Sequence, residues 1–368
     1  AGELVVTDCT VKDNVGYTGS AIVCMGRMSI AGNTSITGNR SITGDGGAIN
    51  FSTWSSATRN SSFRLQHDSN LVLGGGVTIS DNYAGDTGGA IYLDASLIKT
   101  NTNKDGGQPT LEYPYKTDAN GNVLDGDDKY YNMSLIINGA TITGNNAKKQ
   151  GGAIYVTKST NCPDYVVQVE VNGGNISNNS GLSGGAFYTK GKDVDFTITG
   201  GTVSGNTAAT HGGALCMEKN GDYFGNVYVN GGDIIGNTAS NKGGGFYIDG
   251  GSLTIGNGNF KDNVAQVEGG AIYVTGGNAT ISGGVFSGNK AENKSGTAST
   301  GKGGAIYILN GDLEVSSGEF TQNMAYFEGG ALYVSGADCE AVLNGGTISG
   351  NEVTNGSGGA MYLYRASL

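Results

Sequence analysis

The sequence predicts an all-β protein, a right-handed parallel β-helix with three short strands in each of about 10–11 coils. Composition is the first reason, since the 368 residues include 68 Gly and only 3 Pro, which is typical of collagen, linkers or solenoids. Gly does not recur at every third position, which excludes collagen, and apolar residues recur at fixed offsets, which disfavours a linker. Repetition is the second reason. The motif GGAIYV at 269–274 returns along almost the whole chain, and we expect one β-helix domain over residues 1–368.

The Gly-Gly motif sets the length of a coil. The compact spacings between successive pairs run from 26 to 34 residues, which is enough for three strands and their turns. Helical periodicity is absent. The first Gly of each pair stands at positions 46, 88, 151, 184, 212, 243, 269, 303, 329 and 358.

A second motif, apolar-x-x-Asn, precedes each Gly-Gly pair. Its first copy ends at Asn14, and in six copies the Asn stands six residues before the pair. Asn tolerates left-handed backbone geometry, and a side-chain amide can bond to equivalent amides above and below it. We therefore expect an inward-facing structural Asn ladder at a corner, because a buried amide without such partners is costly. Its members are Asn82, Asn145, Asn179, Asn206, Asn237, Asn263, Asn289, Asn323 and Asn351.

A third apolar piece, such as VVQVEVNGG at 166–174, completes each repeat. Stacking the repeats places equivalent residues of neighbouring coils about 4.8 Å apart. Strand alternation then assigns the faces. The large apolar residues of GGAIYV, such as Ile272 and Val274, face the core, as does the apolar residue three positions before each ladder Asn. The opposite face of the motif carries Ala and Tyr.

The outward Tyr residues form one stripe, with Cys216 replacing Tyr in one coil. Two interpretations stay open. The stripe is a stabilising stack of cross-strand pairs, or it is a contact surface for sugars or a protein partner. Its members are Tyr92, Tyr155, Tyr188, Tyr247, Tyr273, Tyr307, Tyr333 and Tyr362.

Charge and cysteine content exclude several classes of function. The net charge of −11 disfavours nucleic acid, because a chain without a basic face gains little from counterion release. Five scattered Cys without a CxxC, and only two His, disfavour zinc and a dense disulfide scaffold. Cys9 and Cys24 are the nearest candidates for a disulfide. No apolar run approaches the roughly 20 residues of a membrane-spanning helix.

The paired motifs carry a family resemblance. GGA followed by an apolar residue, together with Phe-x-x-Asn, resembles the repeats of chlamydial polymorphic outer-membrane proteins and related bacterial surface β-helix proteins. The second motif matches as written at 260–263, 286–289 and 320–323. The resemblance covers about residues 5–365, without a C-terminal membrane barrel pattern. It implies an extracellular, secreted or surface-attached protein with an adhesive role.

An enzyme is the less favoured alternative. Many parallel β-helices cut acidic polysaccharides with carboxylates on an outer face. Glu268 and Glu328, each just before a Gly-Gly pair, would lie about 9–10 Å apart if in register, near the upper range for an inverting glycosidase. Lys302 falls between them and Lys242 comes one coil earlier. Alternating charges indicate cross-strand pairs more simply, so we expect no catalytic residues. Ice binding is disfavoured too, because charged side chains interrupt the outward Thr array.

Metal binding has one weak candidate. The loop at 118–128 offers spaced oxygen ligands for calcium, namely Asp118, Asn120, Asn122 and Asp125. The loop lacks the closing Glu of an EF-hand, and an Asn-Gly turn explains it equally well. We therefore expect no cofactor, with calcium as the exception to test.

Three inserts interrupt the predicted coils. Inserts lie at about 50–75, which holds Trp54, and at 93–131 and 290–302; they serve binding or cover a sheet face.

Both ends stop within a coil, so the chain is a slice of a longer β-helix or a subunit that polymerises head to tail into a fibre. The expected function is structural or adhesive, with the chain itself or a surface glycan or protein as partner. The alternative is a carbohydrate-binding or carbohydrate-cleaving β-helix that uses the outer face and the inserts.

Overall fold

The computed structural model describes residues 3–17, 21–52, 68–95, 99–101, 110–112, 122, 132–159, 166–191, 193–222, 224–293, 296 and 299–367. These residues form a right-handed parallel β-helix, which confirms the predicted fold class. The sheet of two-residue strands has eleven members. The described part of the chain therefore makes eleven coils, within the predicted number. Three faces run along the solenoid.

The first face is the longest. In several coils it is one strand of nine or more residues, and in others two short strands share it. It consists of Glu3–Thr7, Thr10–Lys12, Arg27–Ala31, Ser35–Thr37, Ser69–Leu73, Thr78–Ser80, Met133–Thr143, Val167–Ser177, Val194–Ile198, Thr202–Ser204, Val227–Ile235, Leu253–Lys261, Ala279–Ser287, Leu313–Thr321, the last part of Leu332–Leu343, and Thr347–Ser349.

The second face consists of two-residue strands that directly follow the Asn corner. They are Val15–Gly16, Arg40–Ser41, Tyr83–Ala84, Asn146–Ala147, Ser180–Gly181, Thr207–Ala208, Thr238–Ala239, Val264–Ala265, Lys290–Ala291, Met324–Ala325 and Glu352–Val353.

The third face carries the Gly-Gly motif. Its strands are Ile22–Cys24, Ile49–Ser52, Ile91–Asp94, Ile154–Lys158, Phe187–Gly191, Leu215–Glu218, Phe246–Asp249, Ile272–Thr275, Ile306–Leu309, the first part of Leu332–Leu343, and Met361–Ser367. A separate antiparallel pair joins Lys99–Asn101 to Thr110–Glu112.

The division of a coil into strands differs from the prediction. The third apolar piece and the strand before the Asn belong to the same face, and they are continuous in strands such as Leu253–Lys261. The remaining strand is the two-residue pair after the corner. This pair is too short for an alternation pattern, which explains why the sequence did not reveal it.

The Gly-Gly pair repeats because both of its residues must lack a side chain. Gly269 has φ +66, and a Cβ there would lie 2.5 Å from the carbonyl oxygen of Ile272. A Cβ on Gly270 would lie 2.1 Å from the carbonyl oxygen of Gly304 in the next coil. The first Gly permits the turn and the second permits the close stacking of neighbouring coils.

The core follows the predicted inward columns, with one correction. Ile272 and Val274 are fully buried, and Phe260, Phe286 and Phe320 stack at centroid distances of 4.9 and 4.7 Å. The Ala of the motif was expected on the outer face, but it lies in the core. The backbone N–H groups of both Ala271 and Ile272 donate to one carbonyl, that of Ala305. The chain bends there, and strict alternation does not extend through the bend.

Candidate functional site

The Asn ladder lies inside the corner between the first and second faces. Asn263 donates from Nδ2 and from its backbone N–H to Oδ1 of Asn289, both at 3.0 Å. Its second Nδ2 hydrogen goes to the carbonyl of Ile234 in the preceding coil at 2.8 Å. Its own Oδ1 accepts both donors of Asn237. Every polar atom of this buried side chain therefore has a partner, which offsets the cost of its burial.

All nine predicted ladder positions take part in this arrangement, and two further ones join it. Asn14 donates to Asn39, and Asn39 donates to Asn82. Asn39 is a member that sequence reasoning missed. Its motif, SITGN at 35–39, has the same form as the other copies, so the apolar-x-x-Asn pattern alone could have found it.

The left-handed residue of the corner is the one before the ladder Asn. Asp262 has φ +55 and Gly288 has φ +66. Along the solenoid this position holds Gly in six coils, Asp in three, and Asn178 and Gln322 in one each, all with positive φ. Gly, Asp and Asn are the types that tolerate such a φ best. The expectation that the ladder Asn itself adopts this geometry is wrong, because no ladder Asn has a positive φ and the residue before it makes the turn.

A second polar ladder occupies the corner between the third and first faces. The backbone N–H of Asp312 donates to Oδ1 of Asn278 at 2.9 Å, and the N–H of Glu340 donates to Oδ1 of Asp312 at 2.9 Å. Sequence reasoning missed this ladder. Its signal is an Asn, Asp or Ser directly before a first-face strand and shortly after Gly, as in GDL at 311–313.

The Tyr stripe lies on the outside of the third face as two ring stacks. Tyr92, Tyr155 and Tyr188 stack at 5.5 and 5.1 Å between ring centroids. The second stack runs from Tyr247 to Tyr362, with centroid distances between 4.6 and 5.7 Å and interplanar angles up to 26°. Its members are Tyr247, Tyr273, Tyr307, Tyr333 and Tyr362.

Much of the stripe is covered although it lies outside the coil. Tyr188, Tyr273 and Tyr333 are each 2% exposed, whereas Tyr92 and Tyr155 are half-buried. Burial raises the pKa of Tyr155 to about 12. The phenol of Tyr155 is therefore neutral near pH 7. The middle of the second stack forms a small apolar cluster of its own, against which Leu309 packs.

Cys216 interrupts the stripe, and His211 fills part of the gap. The His211 ring stacks on Tyr247 with 4.5 Å between centroids. Its Nδ1 is buried without a hydrogen-bond partner among the described residues. Burial lowers the pKa of His211, and the positive charge of Lys242 lowers it further. The imidazole is therefore neutral near pH 7.

A charged column runs beside the second stack. Lys242 pairs with Glu268 at 3.0 Å, and Lys302 pairs with Glu328 at 2.8 Å, with partly buried side chains. The Lys242 ammonium also donates to the hydroxyl of Tyr273 at 2.9 Å. Burial lowers the pKa of Lys242, but the hydrogen bond that its ammonium donates to Tyr273 and the charge of Glu268 outweigh this effect, so that the pKa is raised.

The charged column accounts for Glu268 and Glu328, the two carboxylates considered for catalysis. The parallel bridges run in the order Lys242, Glu268, Lys302, Glu328, so the alternation of charge expected from the sequence is present in register. Each carboxylate has an ammonium partner on its own column. The arrangement is a series of cross-strand ion pairs, and it does not present two carboxylates to a common substrate.

Several expected features fall outside the described residues. These are most of the inserts at 50–75 and 93–131, including Trp54, part of the insert at 290–302, and the calcium candidates Asp118, Asn120 and Asp125; Asn122 alone of that set is described. Calcium binding stays a prediction. The suggested disulfide is wrong, because Cys9 and Cys24 are both free thiols. The Cys9 thiol contacts the carbonyl of Thr7 instead.

Comparison with known families identifies the repeat. The Chlamydia polymorphic membrane protein repeat matches residues 76–94, 139–157, 257–275 and 283–309. Each match contains one ladder Asn, the Gly-Gly pair and the stripe Tyr of a single coil. Comparisons with curated proteins and with solved structures yield no match. Within the described ranges, no helix has the length and apolar character needed to span a membrane.

The sequence motifs, the stacked fold and the four matches agree. The Phe-x-x-Asn segments at 260–263 and 286–289 lie inside matched regions, which confirms the resemblance drawn from them. The chain is a right-handed parallel β-helix that carries Chlamydia polymorphic membrane protein repeats, a repeat protein of the bacterial surface type.

Proposed function

We propose that this chain is a non-enzymatic β-helix exposed outside the bacterial cell, where it serves as a rigid structural and adhesive rod. The observation that carries the proposal is the mutual pairing of its outer side chains. Lys242 and Lys302 bind neighbouring carboxylates and also stripe hydroxyls. These groups stiffen the surface along the axis, whereas a catalytic groove requires charged groups that are available to a substrate.

The proposal is tested by measuring binding and cleavage together. The labelled chain is applied to a glycan array and to surfaces coated with matrix proteins, and a separate sample is incubated with polygalacturonate. Binding without new reducing ends supports the proposal. Release of reducing ends that disappears in Glu268→Gln or in Glu328→Gln would overturn it, because these are the two carboxylates considered for catalysis.

A second candidate, carbohydrate binding, is favoured by the first stack of the stripe. Tyr92 ends this stack and is half-buried, so part of this residue is accessible to solvent. Asp45, Asp86 and Asp94 act on Tyr92 electrostatically. An aromatic ring with nearby carboxylates suits a sugar, because apolar C–H faces pack on rings while hydroxyls donate to carboxylates.

The matched test uses the two stacks of the same stripe. We expect Tyr92→Ala to abolish glycan binding, whereas Tyr333→Phe leaves it unchanged because that ring is buried. Equal binding by wild type and Tyr92→Ala would eliminate this site. Loss of binding in both variants would place the contact elsewhere on the rod.

Head-to-tail association is a further part of the proposal. The Asn ladder has a polarity, since the Asn-to-Asn hydrogen bonds all run from the backbone N–H and Nδ2 of one Asn to Oδ1 of the Asn in the next coil toward the C-terminus. Within the described chain, no donor reaches Oδ1 of Asn14 and no acceptor reaches the backbone N–H of Asn351. An end coil of a second copy would supply the missing donor and acceptor. We propose that copies of the 368-residue chain stack in this way in solution.

Electron microscopy and sedimentation on one sample test the stacking. We expect filaments with an axial repeat of about 50 Å for eleven coils. Single rods of that length at high protein concentration would contradict self-assembly, and they would leave the adhesive proposal untouched.

A further inference from the structure

The break in the Tyr stripe brings a thiol and a phenol together. Cys216 and Tyr188 are direct partners across adjacent parallel strands of the third face. Both side chains belong to the stripe column on the outer side of these strands. Cys216 is 0% exposed and Tyr188 is 2% exposed. The thiol therefore takes the position, next to Tyr188, that a ring occupies in other coils.

One carboxylate holds both groups. The hydroxyl of Tyr188 donates to Oε2 of Glu218 at 2.6 Å, and the thiol of Cys216 donates to Oε1 of the same side chain at 3.8 Å. Burial raises the pKa of both Tyr188 and Cys216, and the negative charge of Glu218 raises them further. Both groups are therefore protonated near pH 7, and each has a base at hydrogen-bond distance.

We propose that Tyr188 and Cys216 form a thioether cross-link when the protein meets a peroxide together with a one-electron oxidant of the haem peroxidase class. A phenol loses an electron more readily when a base takes its proton in the same step, and Glu218 is placed to do so. The resulting tyrosyl radical lies beside the buried thiol, where solvent does not compete for it.

The chemistry balances with one peroxide. The S–H bond of Cys216 and one ring C–H bond ortho to the hydroxyl of Tyr188 break, and one C–S bond forms. The two electrons and two protons released reduce one hydrogen peroxide to two waters. Glu218 passes protons on and is unchanged at the end. The product joins two successive coils covalently.

Other described thiols and phenols lack this combination. The thiols of Cys24 and Cys339 donate to backbone carbonyls, those of Arg27 and Ser335. The hydroxyls of Tyr273 and Tyr333 accept from lysine ammonium groups, which are poor proton acceptors. The structure thus directs the reaction to one pair of residues.

The test treats the full chain with hydrogen peroxide and a haem peroxidase, followed by mass spectrometry of the intact protein and of its peptides. We expect a mass loss of two hydrogen atoms, the loss of one titratable thiol that dithiothreitol does not restore, and one peptide pair joined through residues 188 and 216. Tyr188→Phe and Cys216→Ser abolish the product, and Glu218→Gln slows it about tenfold or more. Tyr273→Phe serves as the matched control and reacts like wild type.

Three results would overturn the proposal. One is oxidation of Cys216 by addition of two or three oxygens without attachment to Tyr188. Another is a bond between Tyr188 and Tyr155 in place of the thioether. The third is an unchanged intact mass in wild type while the peroxidase oxidises free tyrosine in the same solution. Circular dichroism establishes that each variant is folded before treatment.

Discussion

Oδ1 of Asn289 accepts two hydrogen bonds from Asn263, one from its backbone N–H and one from Nδ2, both at 3.0 Å. The same relationship connects successive coils from Asn14 to Asn351. Backbone pairing alone would allow neighbouring coils to slide by two residues with their faces preserved. A buried amide in every coil opposes this, because any slip leaves its donors unsatisfied. The ladder therefore fixes the register of the solenoid.

Replacing one ladder residue should be costly. In Asn263→Ala, both donors of Asn237 lose their acceptor, so we expect the free energy of unfolding to fall by about 3 kcal/mol or more. The exposed Asn230→Ala serves as the control, with a change within about 0.5 kcal/mol. Urea denaturation of both variants checks this. Similar losses in the two variants would show that the ladder adds nothing beyond an ordinary surface Asn.

Replacement by Ala should cost less stability at a Gly with a left-handed backbone in open space than at a Gly that packs against the next coil. Gly276 has φ +65 but open space around a Cβ, so Gly276→Ala should cost about 1 kcal/mol through backbone strain. A Cβ on Gly270 would meet the carbonyl of Gly304 at 2.1 Å. We expect Gly270→Ala to lose more than about 4 kcal/mol or to fail to fold. Equal stability of the two variants would contradict the close stacking at the Gly-Gly pair.

Ser41 offers a stabilising substitution. It is fully buried, its Oγ has no hydrogen-bond partner among the described residues, and its partner in the next coil is Ala84. Ser41→Ala removes an unsatisfied hydroxyl and should raise the free energy of unfolding by about 1 kcal/mol. The mirror variant Ala84→Ser should lower it by a similar amount. If both variants were more stable than wild type, or both less stable, the unsatisfied hydroxyl would not explain the change in the free energy of unfolding.

The charged column should show measurable coupling. A double-mutant cycle with Lys302→Ala and Glu328→Ala should give a coupling free energy of about 1 kcal/mol or more, because both side chains are about 15% exposed or less. The control cycle on Lys149 and Asp86, whose side chains are 54% and 33% exposed, should give less than about 0.5 kcal/mol. High salt should reduce the control coupling more strongly. No difference between the cycles would remove the stiffening role given to the column.

His211 should make the fold sensitive to mild acid. Burial and Lys242 lower its pKa below the ordinary 6.5, while Glu218 opposes them in part. As the pH falls below about 6.5, the unfolded chain takes up a proton that the folded chain still resists, so stability falls. His211→Gln removes this slope. The measured quantity is the difference in the free energy of unfolding between His211→Gln and wild type, from pH 7 to 5. The difference is needed because burial also raises the pKa of Asp45, and that carboxyl group makes the fold more stable as the pH falls. Parallel stability curves would contradict the assignment.

The structural features that recur in every coil could mostly be predicted from the sequence. The inward columns and the use of Asn at the corner follow from the spacing of the two motifs. The sequence did not reveal that the motif Ala turns inward, because the bend at Ala271 depends on one carbonyl that accepts two hydrogen bonds. Asn39 was missed although its motif, SITGN at 35–39, has the same form as the other copies. The outward assignment of Tyr273 suggested exposure, yet ring stacking and Lys242 cover it, and this coverage depends on contacts between coils.

The corner ladder is tested most directly by nuclear magnetic resonance on protein labelled with ¹⁵N only at Asn. Side-chain amide protons are followed after transfer into D₂O. The ladder Asn residues, from Asn39 to Asn323, should keep these protons long after exposed residues such as Asn230 have exchanged, and Asn263→Ala should shift the signals of Asn237 and Asn289. Exchange of every Asn side chain at the rate of the exposed ones would contradict a solenoid held in register by buried amides.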